Sequence, residues 1–238
     1  KQPMLGTLFK SSNDSAWAIS PMEDLKITIN AALFEAGRTS VTKSLADDEG
    51  RGNLSLVNAT LPNRTLLTNP LTFTHGDSGV IFDDTYDVYV FKFINLHPAS
   101  ANIDFHFQVD TGTNTNFNQP IVSAAGVGYH NEADNASGFT YGTDMSQVGT
   151  AFQGLLDNAS PTGNDSNGGG SLTFYSPSSD TFVKLFAAKM FGQGHGDYFA
   201  AYNTSGYVNT ATALTKVRFK YASGNIDSGE IKLYGVKG

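Results

Sequence analysis

The stretch from Phe82 to Asp110, FDDTYDVYVFKFINLHPASANIDFHFQVD, constrains the fold more than any other part of the chain. It contains two runs of β-forming residues joined by a polar, proline-containing turn. In the second run Ile103, Phe105, Phe107 and Val109 point one way and Asp104, His106 and Gln108 the other. Strict alternation of this kind predicts a strand with one face on a core and one in water. In the first run Tyr89, Phe91 and Phe93 share a face, while Val88, Val90 and Ile94 share the other, interrupted by Lys92. A strand apolar on both faces is covered on both sides, so this one is expected in the middle of its sheet. Pro98 is placed to end the first strand, and Asn102 suits a tight turn.

The rest of the chain repeats the theme in shorter pieces. Ile121 to Tyr129 is a strand candidate in which Gly126 and Gly128 predict a bulge or a close backbone approach. Val148, Phe152, Leu155 and Leu156 recur near the helical period, so a short helix is expected within Met145 to Leu156. Asn158 to Gly170, ending in ASPTGNDSNGGG, carries the strongest loop signal. Ser171 to Ser176 is a short strand. Thr181 to Met190 sets Val183, Leu185 and Ala187 on one face against Phe182, Phe186 and Met190 on the other. Gly192 to Gly196 and Tyr198 to Thr212 read as an excursion. Leu214 to Tyr221 turns Val217, Phe219 and Tyr221 inward, with Lys216, Arg218 and Lys220 on a solvated face. Gly229 to Val236 turns Ile231 and Leu233 inward, and Ser223 to Gly229 reads as the hairpin joining these last two strands. About eight to ten short strands with little helix and no βαβ alternation predict an all-β sandwich or barrel.

Residues 1–81 read as a smaller β-rich segment with few aromatics, and residues 82–238 as the main domain. Asp24 to Asn30 alternates, and Asp47 to Gly52 is a polar break. The boundary is expected near Gly79. The segment is expected to supply strands or an arm to the main domain or to a neighbour.

Composition narrows the function classes. The chain has 238 residues and no cysteine, which excludes a disulfide scaffold and any cysteine-ligated metal centre. A formal net charge of −7, without a basic cluster, argues against nucleic-acid binding, which needs concentrated Lys and Arg. No stretch approaches the roughly 18 apolar residues of a membrane span, and no secretory signal is legible. The first residue is Lys rather than Met, which reads as a processed product or a fragment.

No catalytic constellation stands out. There is no Gly-x-Ser-x-Gly elbow, and the five glutamates, Glu23, Glu35, Glu49, Glu132 and Glu230, mark no carboxylate pair. Glu230 and Lys232 share the outward face of a terminal strand. The histidines at 75, 97, 106, 130 and 195 lack ligand spacing, so no metal or cofactor is expected. Loop-bound calcium is the one cation with suitable oxygens, at Asp110 to Asn118 and Asn131 to Asn135, against a turn-forming role for the same residues. His97 reads as a structural residue capping a turn. Saccharide recognition needs aromatic platforms beside polar side chains. Tyr129, His130, Tyr198 and Tyr202 are the candidate glycan contacts, in a chain whose Tyr141, Tyr175 and Tyr207 also lie in or near loops. Eight Asn-x-Ser/Thr sequons, from Asn13 to Asn203, follow from a composition rich in Asn, Ser and Thr.

Beyond these patterns, FDDTYDVYVFKFINLHPASANIDFHFQVD, GYHNEAD at 128–134, FYSPSSDTFVK at 174–184 and KVRFKYASGNIDSGEIKLYGVK at 216–237 resemble a domain of virion structural proteins of tailed phages, especially marine and cyanobacterial ones. SSNDSAWAISPMEDLKITINAALF at 11–34, with LLTNPL at 66–71, is similar to a module of large tail and baseplate proteins of such phages. The resemblance implies a two-sheet antiparallel β-sandwich of jelly-roll type, in a tail, fibre or surface appendage, and no catalytic residues. The expectation is a non-enzymatic virion structural protein at the virion surface or outside the cell, with copies of itself and other appendage proteins as partners. The alternatives are a carbohydrate-binding module for cell-surface glycans and a self-assembling extracellular filament subunit that donates a strand.

Overall fold

The computed structural model describes the backbone at 9–10, 18–19 and 54–59, and residues 69–77, 79–159, 166–194 and 196–236 in full. The chain divides into two compact units, Lys1–Arg38 and Thr39–Gly238. In the first, β1 (Phe9–Lys10) and β2 (Ala18–Ile19) pair antiparallel, Phe9 opposite Ile19. The strand expected over Asp24 to Asn30 lies outside the described residues, as does His195.

The second unit is all-β, with no helix among the described residues. Its strands are β3 (Leu54–Ala59), β4 (Leu71–Thr74), β5 (Val88–Pro98), β6 (Ile103–Thr111), β7 (Ile121–Asn131), β8 (Ser137–Tyr141), β9 (Val148–Gly149), β10 (Gln153–Ala159), β11 (Gly168–Tyr175), β12 (Lys184–Gly194), β13 (Tyr198–Val208), β14 (Leu214–Tyr221) and β15 (Ile226–Val236). All pair antiparallel within one open sheet. One run of neighbours reads β3-β15-β5-β11-β12-β13-β7, with β8 and β9 both beyond β7. The other reads β10-β6-β14-β4, and the two runs join at a single residue pair, Ala159 opposite Gly194.

The turns after β5 and β14 move the chain between these runs. β5 and β6 do not pair, and neither do β14 and β15. The expected 223–229 hairpin is therefore corrected: β14 lies beside β6, with Phe219 opposite Phe107, and β15 lies beside β5, with Leu233 opposite Phe91. Each strand pairs where its apolar face continues a buried one, because a slip by one residue would turn that face to water. Rings from β5, β11 and β12 meet rings from β4, β6 and β14, which are not their hydrogen-bonded neighbours. Phe91 and Phe219 are 4.9 Å apart, Phe93 and Phe105 5.6 Å, Phe107 and Phe186 5.2 Å, and Phe73 and Phe91 5.2 Å, all edge-on. Edge-to-face contact sets the positive rim of one ring against the negative face of the next.

Several expectations are corrected locally. The helix expected within Met145 to Leu156 is instead β9 and the start of β10, where buried Leu155 and Leu156 sit opposite or beside β6. The excursion from Tyr198 is the 11-residue strand β13, paired along its whole length with β12 and β7. The glycines ending the 158–170 loop signal are strand residues of β11. Gly170 has φ +141°, and a Cβ there would lie 2.2 Å from the Lys189 carbonyl oxygen. In β7, Gly126 makes room for a ring rather than a backbone: an added Cβ would stand 2.6 Å from the Phe139 ring.

Faces expected in water are partly covered. Gln108 and Asp110 on β6 are fully buried. The Gln108 amide donates to the carbonyls of Gln119, Thr150 and Ala151, so the loops over β6 supply the partners that water would otherwise provide. Arg218 lies 3.5 Å from the Phe117 ring centroid and the Lys220 ammonium 4.2 Å from that of Phe152, so these cations are partly covered by rings. Conversely β5, central as expected between β15 and β11, leaves Ile94 exposed on its second face. Glu230 and Lys232 form a 3.1 Å ion pair.

The expected N-terminal segment contributes strands to this sheet. β3 pairs with β15 and β4 with β14, so residues on the N-terminal side of Gly79 lie in the same sheet as the main domain.

Candidate functional site

A cleft of about 660 Å³ lies among the described residues. One side is the continuous face of the adjacent strands β8, β7 and β13, with Thr140, Tyr141, Val127, Tyr129, Tyr198, Ala200 and Tyr202. Asp157 and Asn158 from the end of β10 form the floor, and Asn102, Thr143 and Asp144 stand at the rim. Register explains the convergence. Tyr129 pairs with Ala200 and Val127 with Tyr202, so alternate residues of β7 and β13 present one face to the cleft. Gly138 opposite Tyr129 leaves room for the tyrosine ring, since an added Cβ there would come 2.9 Å from its hydroxyl.

Three of the four sequence-predicted contacts meet here. The rings of Tyr129 and Tyr198 are 6.1 Å apart at 60°. Tyr202 is buried and donates from its hydroxyl to the Asp157 carbonyl at 3.0 Å, so it braces the floor more than it faces a ligand. Burial, with Asp157 close by, pushes its phenol up to about 12. His130 falls on the opposite face of β7 by alternation, and its Nε2 lies 3.1 Å from Asp134 Oδ1. It does not line the cleft.

Sequence reasoning missed the acidic floor. Partial burial pushes the Asp157 carboxyl up to about 6, and a hydrogen bond with Asp104 and the charges of Asp104 and Asp144 add to the rise. A proton held between two close carboxylates is the ordinary response to like charges in a partly desolvated place. Asp104 Oδ1 also accepts from the Asn158 backbone N–H at 3.1 Å. Beneath it, His106 is held below the ordinary histidine value by burial, with Lys220 adding to the effect and Asp104 opposing it. The only signal for Asp104 was its place on the polar face of β6, and Asp157 fell between the helix expected up to Leu156 and the loop expected from Asn158.

The loops considered for calcium use their oxygens internally. Asp110 accepts from the N–H groups of Thr111 and Phe117 and from the Gln119 amide at 3.0–3.1 Å. Asn131 Oδ1 accepts from the N–H groups of Asn135 and Ala136. Among the described residues no group of three His, Cys, Asp or Glu side chains is arranged to hold a metal ion. His97 bonds Asp227 across the β5–β15 pair at 3.2 Å.

A second feature is a sheet face with several large apolar side chains exposed on it. The face of β5, β11, β12, β13 and β7 opposite the buried rings carries Ile94, Tyr175, Leu185, Phe191 and Phe199, and Phe139 and Val148 extend it on β8 and β9. Across it, Val148, Val122, Tyr207 and Leu185 stand opposite one another in register. Val148 is 85% and Phe139 77% exposed.

Comparison with known proteins gives no match to a family model, to a curated protein or to a solved structure. The geometry therefore carries the functional argument. No helix among the described residues is long and apolar enough to cross a membrane.

Proposed function

We propose that the chain is a non-enzymatic structural protein of a virion-surface or extracellular appendage, built for assembly and display. The observation that carries this reading is the set of large apolar side chains exposed on one sheet face, in two rows, Val148–Val122–Tyr207–Leu185 and Phe139 with Phe191, parted by Lys189, Asn203 and Ser205. Clustered apolar exposure of this kind marks interaction sites. Burying one Leu or Phe from water is worth about 1.5–3 kcal/mol, so an oligomer that covers Leu185, Phe191, Phe199 and Val148 has a clear driving force. A second copy is the natural occupant, since a closed symmetric oligomer uses the same patch on each subunit. The resemblance of the 82–110 and 216–237 stretches to tailed-phage virion proteins supports the same reading.

The two strand runs fit two layers of a sandwich in this proposal. Their single bridging pair and the aromatic contacts across them support that view. The test of assembly is light scattering on the full chain and on Leu185→Glu with Phe191→Glu. The expected result is an oligomer that the double variant converts to a monomer with the same far-ultraviolet circular dichroism spectrum. A wild-type chain that stays monomeric at every concentration would overturn the reading.

The cleft favours a second reading, in which the same module attaches to a glycan. Its carrying observation is the pair of tyrosine rings above a floor of acceptors. Saturable binding to a glycan array that Tyr129→Ala abolishes would support it, and an array with no signal would count against it.

A further inference from the structure

We infer that the cleft over the shared face of β8, β7 and β13 takes an uncharged saccharide and turns away anionic sugars and phosphates; this rests on the glycan-binding reading. The volume of about 660 Å³ lies in the range of small-ligand sites, enough for a short oligosaccharide. Tyr129 and Tyr198 offer ring surface at an angle of 60°, which can hold the apolar C–H face of a pyranose from two sides. Beside apolar Val127, Met145 and Ala200, the lining includes residues whose side chains can pair with hydroxyls: Asn102, Asn158, Thr140, Thr143, Asp144 and Asp157. A carboxylate accepting from sugar hydroxyls makes the shorter, stronger class of hydrogen bond.

Charge decides the ligand class. No Lys or Arg is among the described residues lining the cleft, while Asp144 and Asp157 are, and Asp104 stands behind them. The Asp104–Asp157 pair already holds a proton more tightly than an isolated carboxyl, so the site resists further negative charge. A uronate, sialate or phosphate placed there would meet like charge, with no Lys or Arg among the described lining residues to offset it. A neutral sugar brings no charge, and its hydroxyls can pair with the carboxylates, amides and hydroxyls of the lining.

The experiment is titration calorimetry of the full chain at low salt. The probes are neutral trisaccharides based on glucose, galactose, mannose and N-acetylglucosamine, each beside a size-matched uronate or sialylated counterpart. The expected result is binding by at least one neutral probe, weakened about tenfold or more, roughly 1.4 kcal/mol, by Tyr129→Ala or Tyr198→Ala. The matched anionic probe should bind at least tenfold more weakly, and Asp144→Lys should narrow that gap. Asp144 is exposed at the rim, so this variant keeps the test sound where a tyrosine variant fails to fold. An anionic probe that binds as tightly as its neutral partner would overturn the inference while leaving glycan binding intact. Failure of every probe would overturn the glycan reading itself, and binding indifferent to both tyrosines would remove it from this cleft.

Discussion

Lys184 opens β12 on the face that continues into Phe186, Ala188 and Met190, yet its side chain is fully buried. Its ammonium donates to three backbone carbonyls, those of Phe182, Thr210 and Ala211. Three N–H donors thus meet three acceptors, and the lysine ties the start of β12 to the loop that leaves β13. Burial draws its pKa below the ordinary lysine value, with Asp180 opposing. Lys184→Met keeps the length of the stem and removes the donors. Each carbonyl left unpaired in a buried place costs about 1–3 kcal/mol. Two deductions apply. The variant no longer pays to desolvate an ammonium, and Phe182 and Ala211 are exposed residues whose carbonyls water can reach after a small movement. The net loss is expected at about 2–4 kcal/mol, or about 4–16 °C in melting temperature for a unit of this size. Urea denaturation should show a lower midpoint with an unchanged slope. Lys184→Gln, which retains two N–H donors, should fall between the two. A Met variant within about 0.5 kcal/mol of the parent would refute the reasoning, because the three bonds would then contribute nothing net.

Three further outcomes are expected. Asp157 has a folded pKa of about 6 against an ordinary 3.8, so folding favours its protonated form, and the carboxyl becomes destabilising as pH rises through that window. Asp157→Asn should therefore be more stable than the parent by about 1–2 kcal/mol near pH 8, after discounting a half-exposed site for solvent screening, and equal to it near pH 4; urea titrations at both pH values check this. Tyr221 is buried with a hydroxyl that has no hydrogen-bond partner among the described residues, so Tyr221→Phe, which keeps the ring 5.0 Å from Phe105, should be neutral or up to about 1 kcal/mol more stable in thermal unfolding. At Gly206 an added Cβ would stand 2.2 Å from the Val122 carbonyl oxygen, so Gly206→Ala should force β13 from β7 and cost about 1–3 kcal/mol, read from the urea midpoint.

The strand content was legible where alternation was strong. Tyr89, Phe91 and Phe93, Phe105 and Phe107, and Val217, Phe219 and Tyr221 were all assigned to the core from spacing, and all are buried. Local rules failed where a partner far away in sequence sets the outcome. Val148 to Leu156 has a helical period on paper, but β10 forms because Gln153 finds Phe107 and Leu156 finds Phe105 on β6. β13 carries small and polar residues, Ala200, Ala201, Asn203, Thr204, Ser205 and Gly206, which look like a loop until β12 and β7 flank them. The tyrosines of the cleft were visible as residue types. Their convergence was not, and neither was the Asp104–Asp157 pair, whose members lie on strands that neighbour each other only in the folded sheet.

The sequence by itself determined the all-β class, the inward rings and the lack of cysteine chemistry, because side-chain alternation and composition act within a few residues. The tertiary structure alone decided that β5 and β6 part company, that rows of large apolar side chains stay exposed on one sheet face, and that Tyr129, Tyr198 and Asp157 line one cleft. Those outcomes depend on register between strands distant along the chain. Register is set by which apolar faces bury each other, and no single strand carries that information.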